Sequence, residues 1–470
     1  PPGDPPSTKG TYLLERLAPL LVDELLKTPE PGRTLVALSG YIDSLKAASG
    51  YFSTFLENPP TIRFLVQILG ESRFFTELLI RHPQAIDSLI ARAGGDIPKE
   101  RDSLAAELSE RLAYCEDLEA KLDVLRRFKN EELLMIGVRH IRGEMESPFA
   151  RWLVTELAEA CLDAAVTMAA DEMARRYGRV DQINQLPFAV LAMGKFGGAE
   201  MTYHSDLDVI FIYDSRAQSV GRLSAHEWFT RLANRIISIL SIPTSEGIAF
   251  TIDTRLRPSG NKGPLVCSLD SFREYHRTTS QLWEKQALTK ARPVIGPPDL
   301  TGEVATIVES CILHTDLSDE DVREIARLRA RMENELALED ETHVDVKTGQ
   351  GGLVDVEFFV QGLILKFARR NPRIICSNTL EALAAATHAG LLDHETFHRL
   401  HSGYRFLSNL EDRLRILENR SVDRMTLTGE KLKELAARLG YGADGPEKLI
   451  DDYFSVTRAI RATYNSFFLV

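Results

Sequence analysis

Cysteine is rare in this chain. The five present, Cys115, Cys161, Cys267, Cys311 and Cys376, lie far apart, and no two form a C-x-x-C pair. That argues against a disulfide framework and against a thiolate zinc site; it reads as reduced core thiols in a cytoplasmic protein. Long apolar runs are missing too. No stretch is long enough to span a bilayer and no signal-peptide pattern opens the chain, so no membrane partner is expected. Positive charge is in deficit: 56 Lys and Arg stand against 68 Asp and Glu, a formal net charge of −12. A general nucleic-acid binder would want a basic face, so no nucleic-acid partner is expected, although an acidic surface can still hold a local basic pocket. No period of 20–50 residues marks a repeat array.

What is present is a 470-residue chain, long enough for two or three domains with ample core. Residues 1–10 are rich in Pro and Gly and read as a disordered or processed start, or as a cut piece of a longer protein. Residues 11–155 are expected to form a helical domain. Leu14, Leu17, Leu21 and Leu25 recur at helical spacing with Pro19 as an expected kink, and Pro59-Pro60, His82-Pro83 and Gly94-Gly95 punctuate further segments. Residues 152–176 read as one long helix. Residues 156–304 are expected to form a second domain in which strand and helix alternate from about residue 181, and residues 305–470 to return to a helical bundle with a seam of Leu407, Leu410, Leu414 and Leu417. Arg413, Arg415 and Glu418 fall off that seam.

One stretch in the middle organises the rest. Residues 187–193 form a short apolar run suited to a buried strand. Gly194, Gly197 and Gly198 then break it, and such a loop lets backbone amides approach something bulky and charged. After Ser205 a second strand opens on Asp206-Leu207-Asp208. Alternation sends Asp206 and Asp208 to one face and Leu207, Val209 and Phe211 to the other. Two like charges side by side persist most naturally around a divalent cation.

A third acid follows. Residues 248–258 alternate as a strand, with Ile248, Phe250, Ile252 and Leu256 on one face and Asp253, Arg255 and Arg257 on the other; Pro258 and Gly260 end it. An acid followed by guanidinium groups suits a metal-bound triphosphate. Between the two acid strands, Ser224 to Glu227 is a capping box that starts an amphipathic helix with Phe229, Leu232, Ile236 and Leu240 on its stripe. Residues 262–266 form a possible phosphate-side loop. Residues 283–292 read as a helix with Lys285 and Arg292 roughly on one face.

The glycine loop, the D-x-D and the later Asp resemble the DNA polymerase beta-like nucleotidyltransferases. Gly194-Lys195 stands where that superfamily has Gly-Ser, ten residues before Asp206; Lys195 departs from the usual small residue. Five collinear strings, G-K-F-G-G-A-E, S-D-L-D-V-I-F, D-T-R-L-R-P-S-G, W-E-K-Q-A-L-T-K-A-R and G-G-L-V-D-V-E-F, together resemble the glutamine synthetase adenylyltransferase family over nearly the whole chain.

The resemblance implies a mostly α fold with a central α/β polymerase beta-like nucleotidyltransferase domain, a helical domain before it and a helical bundle after it. That family usually has two similar halves, and this chain reads as one of them. The string T-R-L-R-P-S-G and the helical lead-in favour the adenylyl transferase, usually C-terminal, half. The implied reaction moves AMP from ATP to a tyrosine hydroxyl of glutamine synthetase, with the PII signal protein as regulator. Catalysis and metal binding fall to Asp206, Asp208 and Asp253, which would share two Mg²⁺ ions, with Asp253 as the best candidate base. Gly194, Lys195, Gly197, Gly198, Ser205, Arg255, Arg257 and Lys347 are the candidate phosphate contacts, Lys347 because the second glycine turn, residues 349–352, borders the active site in the family.

Each signal also has a plainer reading. The acids could be edge-strand residues facing water, the glycine loop a tight turn, and the arginines salt-bridge partners. Asp355 and Glu357 fit a helix-dipole pattern. His204 could be a general base, although a loop histidine is more often structural; Trp228 and Trp283 read as core. Two other functions stay open: the family's deadenylylating half, which removes AMP from tyrosine with phosphate and releases ADP, and a non-catalytic module binding glutamine synthetase or PII.

Overall fold

A computed structural model of the protein describes residues 8–45, 48–87, 99–178, 186–418, 422–442 and 444–468. The leucine spacing near the start forms Thr8–Leu25, which keeps Pro19 inside one helix. Residues 8–10 therefore already belong to a helix, while 1–7 and the Gly94-Gly95 break lie outside the described residues. Helices continue as expected to Ser147–Tyr177, which spans the segment read as one long helix and runs through the boundary expected at residue 155.

The sheet follows. β1 (Phe188–Ala192), β2 (Leu207–Tyr213), β3 (Ile252–Asp253), β4 (Val266–Ser268) and β5 (Arg292–Ile295) form it in the order β3-β2-β1-β5, with β4 also on β2. β1 runs antiparallel to β2 and β5, and β2 runs parallel to β3 and β4. A second, two-stranded sheet pairs β6 (His343–Asp345) with β7 (Arg424–Thr426).

Strand alternation divides the core in two. Leu207, Val209 and Phe211 of β2, with Phe188 and Val190 of β1, pack into one cluster with the N-terminal helices and with Ala225–Ser241, whose Ser224–Glu227 capping box is present. Ile210 and Ile212, with Ala189 and Leu191, pack into a second cluster with the C-terminal helices. Both faces of the small sheet are thus covered by helices, and the architecture is mostly helical with a small mixed sheet. Among the described residues no helix is long and apolar enough to cross a membrane.

Four expectations need correction. Residues 248–258 do not form one strand: only Ile252–Asp253 is extended, and the chain then turns. The cause is local, because the Arg255 backbone N–H donates to Asp253 Oδ1 and bends the chain two residues after the acid. Residues 283–292 are not one helix. Leu282–Leu288 is helical, whereas Arg292 opens β5, so Lys285 and Arg292 share no helix face. Trp283 is 38% exposed and is no core residue; Trp228 is buried. On His394–Glu418 the leucine seam is inside, but Arg415 is buried as well, because the helix is covered on more than one side. The apolar helix after the second glycine turn begins at Leu353, so Asp355 and Glu357 lie within its first turns.

Candidate active site

The parallel pairing of β2 and β3 builds the site. Its register sets Leu207 beside Ile252 and Asp208 beside Asp253. Directly paired residues point to the same face of a sheet, and Asp208 shares that face with Ile210 and Ile212. Asp206, two residues earlier, is exposed at the strand entrance, and its Oδ1 accepts a hydrogen bond from the Thr251 hydroxyl. Burial pushes the Asp208 carboxyl up to about 7, and the negative charges of Asp253 and Asp206 push the same way; Lys347 and Arg255 pull it back. Asp253 goes down instead. Burial opposes this, but the hydrogen bonds and charge of Arg255 prevail. Arg255 Nε donates to Asp253 Oδ2 at 2.7 Å, while the guanidinium is 73% exposed.

The three acids are therefore mutually repelling, and two are held by Thr251 and Arg255. Among the described residues no group of three or more His, Cys, Asp or Glu side chains is gathered closely enough to grip an ion as it stands. The donor set nevertheless fits a divalent cation that prefers oxygen. Asp208 and Asp253 are paired across neighbouring strands with Asp206 just before the first, and the Asp208 carboxyl is raised by burial and by the charges of the other two.

The glycines separate into two roles. Gly194 has φ +54°, and a Cβ there would lie 2.6 Å from Asp208 Oδ2, so only glycine lets the loop lie against that acid. Gly197 and Gly198 face away from open space. A Cβ on Gly197 would meet the Lys290 carbonyl at 1.9 Å, and the Gly198 carbonyl accepts from Asn378 Nδ2. Glu200, ending the same string, is buried and accepts from Lys290, the Thr379 backbone N–H and the Tyr404 hydroxyl. The string is thus as much a docking surface for the C-terminal helices as a loop.

The remaining candidates are scattered in role. Lys195 donates to Glu411 at 2.7 and 2.8 Å, and burial brings its ammonium down to about 8. Glu411 is fully buried and also meets Arg151 at 2.7 Å and Arg415 at 3.0 Å; Arg415 meets Asp423 at 2.7 Å. Ser205 Oγ accepts from the Thr202 backbone N–H and tightens the turn before Asp206. Arg257 donates to the Pro264, Thr254 and Gly263 carbonyls and so holds the 258–264 loop. Lys347 lies 3.9 Å from Asp423, within electrostatic reach of Asp208. Asp355 is buried between Arg329 and Arg461 and accepts from the Gly351 N–H, while Glu357 accepts from Tyr404.

His204 is held near 4 by burial and is neutral at pH 7; its ring meets Phe74 edge-on. Spacing could not reveal the Glu411 network, since 216 positions separate Glu411 from Lys195. The one available signal was three charges, Glu411, Asp412 and Arg415, next to an apolar seam.

Comparison with known proteins bears on this arrangement. Residues 62–306 match the family model for glutamate-ammonia ligase adenylyltransferase, and residues 323–468 match that for GlnD PII-uridylyltransferase. A bifunctional glutamine synthetase adenylyltransferase/adenylyl-removing enzyme of Thioalkalivibrio sulfidiphilus is 32% identical over 427 residues, 88% of this chain and 44% of that protein. A protein of the same name from Mannheimia haemolytica is 29% identical over 93% of this chain and 46% of its own length. A third, from Rhodopseudomonas palustris, is 32% identical over 91% of this chain and 43% of its own. The chain spans a little under half the length of these relatives.

Proposed function

The chain belongs to the glutamate-ammonia ligase adenylyltransferase family, and from that premise we propose that it transfers AMP from ATP to a tyrosine hydroxyl of glutamine synthetase. The observation that carries this reading is the parallel register that sets Asp208 beside Asp253, with Asp206 immediately before that strand. The tyrosyl oxygen bonds to the α-phosphorus as the bond to the pyrophosphate oxygen breaks. Asp206, Asp208 and Asp253 would hold Mg²⁺, two ions in the full site. Bound there, the metal neutralises the triphosphate and lowers the pKa of the attacking hydroxyl. Asp253 takes the hydroxyl proton. Arg255, exposed and reaching Asp253, is free to turn to phosphate oxygens. Gly194 keeps backbone close to Asp208, Lys347 supplies positive charge beside the acids, and Lys195, paired with Glu411, holds the loop in place. Gly197, Gly198, Ser205 and Arg257 shape the loops around the nucleotide.

The domain that carries this chemistry is the polymerase beta-like one at 156–304, between helical domains at 11–155 and 305–470, in a cytoplasmic enzyme that answers to PII. The relatives' name joins two activities, so phosphorolysis of adenylyl-tyrosine, giving ADP, is the second reading. The test runs both. The chain is incubated with unmodified glutamine synthetase and labelled ATP, and separately with adenylylated enzyme and phosphate. Label uptake supports transfer; ADP release in the second tube alone overturns it. If neither occurs and the chain still binds glutamine synthetase or PII, it is a non-catalytic module.

A further inference from the structure

A cavity of about 270 Å³ opens next to Asp206, lined by Ser205 and Thr251 and by no residue of the glycine loop. The segments that enter β2 and β3 form one wall, through Tyr203, Ser205 and Thr251. Helices Arg73–Arg81 and Leu118–Ile141 form the other, through Phe74 and Lys129. Thr251 joins cavity to site directly, because its hydroxyl is the group that donates to Asp206. The glycine loop touches Asp208 instead. Cavity and loop therefore approach the acids from different members of the set.

The lining carries two unmet polar groups on an aromatic frame. Lys129 lies 5.5 Å over the Phe250 ring, and among the described residues no carboxylate is within ion-pair reach of it. Of the other charged groups at the cavity, Glu246 pairs with His82 at 2.7 Å and with Arg127 at 2.9 Å, and Arg81 also lines it. His204 Nε2 has no hydrogen-bond partner, and an unpaired buried polar atom is costly. At about 270 Å³ the cavity stands at the lower end of the roughly 300–1,000 Å³ range of ligand pockets, with room for one aromatic side chain.

Displacement at phosphorus needs the entering oxygen opposite the leaving one. A triphosphate held at the glycine loop leaves the Asp206 flank to the acceptor, and this cavity reaches Asp206 through Thr251. We propose that the cavity is the acceptor subsite, receiving the tyrosine side chain of the protein substrate with its ring against Phe74 and Phe250 and its hydroxyl toward Lys129 and His204. This rests on the functional reading above. The ammonium offsets charge developing on the phenolic oxygen, and it faces the phosphodiester anion afterwards.

The probe is N-acetyl-tyrosinamide, with N-acetyl-phenylalaninamide as its control, titrated against the full chain with a non-hydrolysable ATP analogue and followed by ligand-observed NMR. Lys129→Met removes the charge. Ile248→Trp plugs the mouth from a position that is 39% exposed, so folding is spared. Both variants should weaken the tyrosine probe at least about fivefold while nucleotide affinity changes less than about twofold. The phenylalanine probe should bind more weakly than the tyrosine probe to wild type and be insensitive to Lys129→Met. Equal binding of the tyrosine probe to wild type and both variants, or no binding to wild type, overturns the subsite. Transfer to glutamine synthetase is assayed in parallel. A chain that binds the probe in the cavity yet transfers nothing keeps the subsite and loses the functional reading; transfer with an acceptor KM unchanged in both variants does the reverse.

Discussion

Two neighbouring residues, Gly194 and Lys195, face two charge clusters built on opposite terms. Gly194 abuts the acids of β2 and β3, where like charges are set together and one carboxyl is raised to about 7. Lys195 reaches Glu411, where Arg151, Arg415 and Lys195 surround fully buried Glu411 and Asp412. There burial alone would favour neutral Glu411, yet the surrounding cations hold its carboxyl well below the usual range. The first cluster is electrostatically unfinished and half open; the second is complete and closed. A fold tolerates the first only where something else supplies the missing charge. The second needs nothing added and joins the glycine loop to the C-terminal helices.

If that contrast is right, disabling each cluster should fail differently. Replacing Asp206 and Asp208 together by Ala should cut adenylyl transfer by on the order of 10³-fold or more while circular dichroism stays native. Persisting activity would end the metal assignment. Glu411→Ala should instead destabilise the fold by about 3–5 kcal/mol, because it strands Lys195 and takes one of two acidic partners from Arg151 and from Arg415, as urea denaturation would read. Glu411→Gln, which keeps hydrogen bonds, should cost less.

Asp208→Asn should go the other way and stabilise the metal-free protein by about 1–3 kcal/mol at pH 8. The sign follows from the raised carboxyl: between the ordinary Asp value near 4 and about 7, the folded state keeps a proton that the unfolded state releases. Wild type thus loses stability as pH rises through that window, so the gain from Asn is full above about pH 7 and fades toward pH 4. Thermal melts at four pH values, with and without Mg²⁺, would test it; Mg²⁺ should raise the melting temperature of wild type at pH 8 and much less at pH 5.5. The smallest effect belongs to Gly194→Ala, expected to cost about 1–2 kcal/mol through its positive φ and its contact with Asp208, and to weaken nucleotide binding by titration.

Much of this was legible from spacing. β1, β2, the capped helix after Ser224 and the long helix through residue 160 follow directly from apolar period and capping residues. The face that Asp208 shares with Ile210 and Ile212 follows from strand alternation. The strand at 248–258 was misread because its alternation continues past Asp253, while an Asx-type turn overrides it at Arg255. Gly197 and Gly198 looked like loop glycines because the chain packed against them, Lys290 and Asn378, is remote in sequence.

The sequence by itself determined which residues of β2 face which way, since side-chain alternation is a property of the local backbone. It could not determine that Asp253 would stand beside Asp208, nor that Glu411 would hold Lys195. Those are pairings across 45 and 216 positions, and Coulomb energy depends on distance in space, which only the packed sheet and helices set.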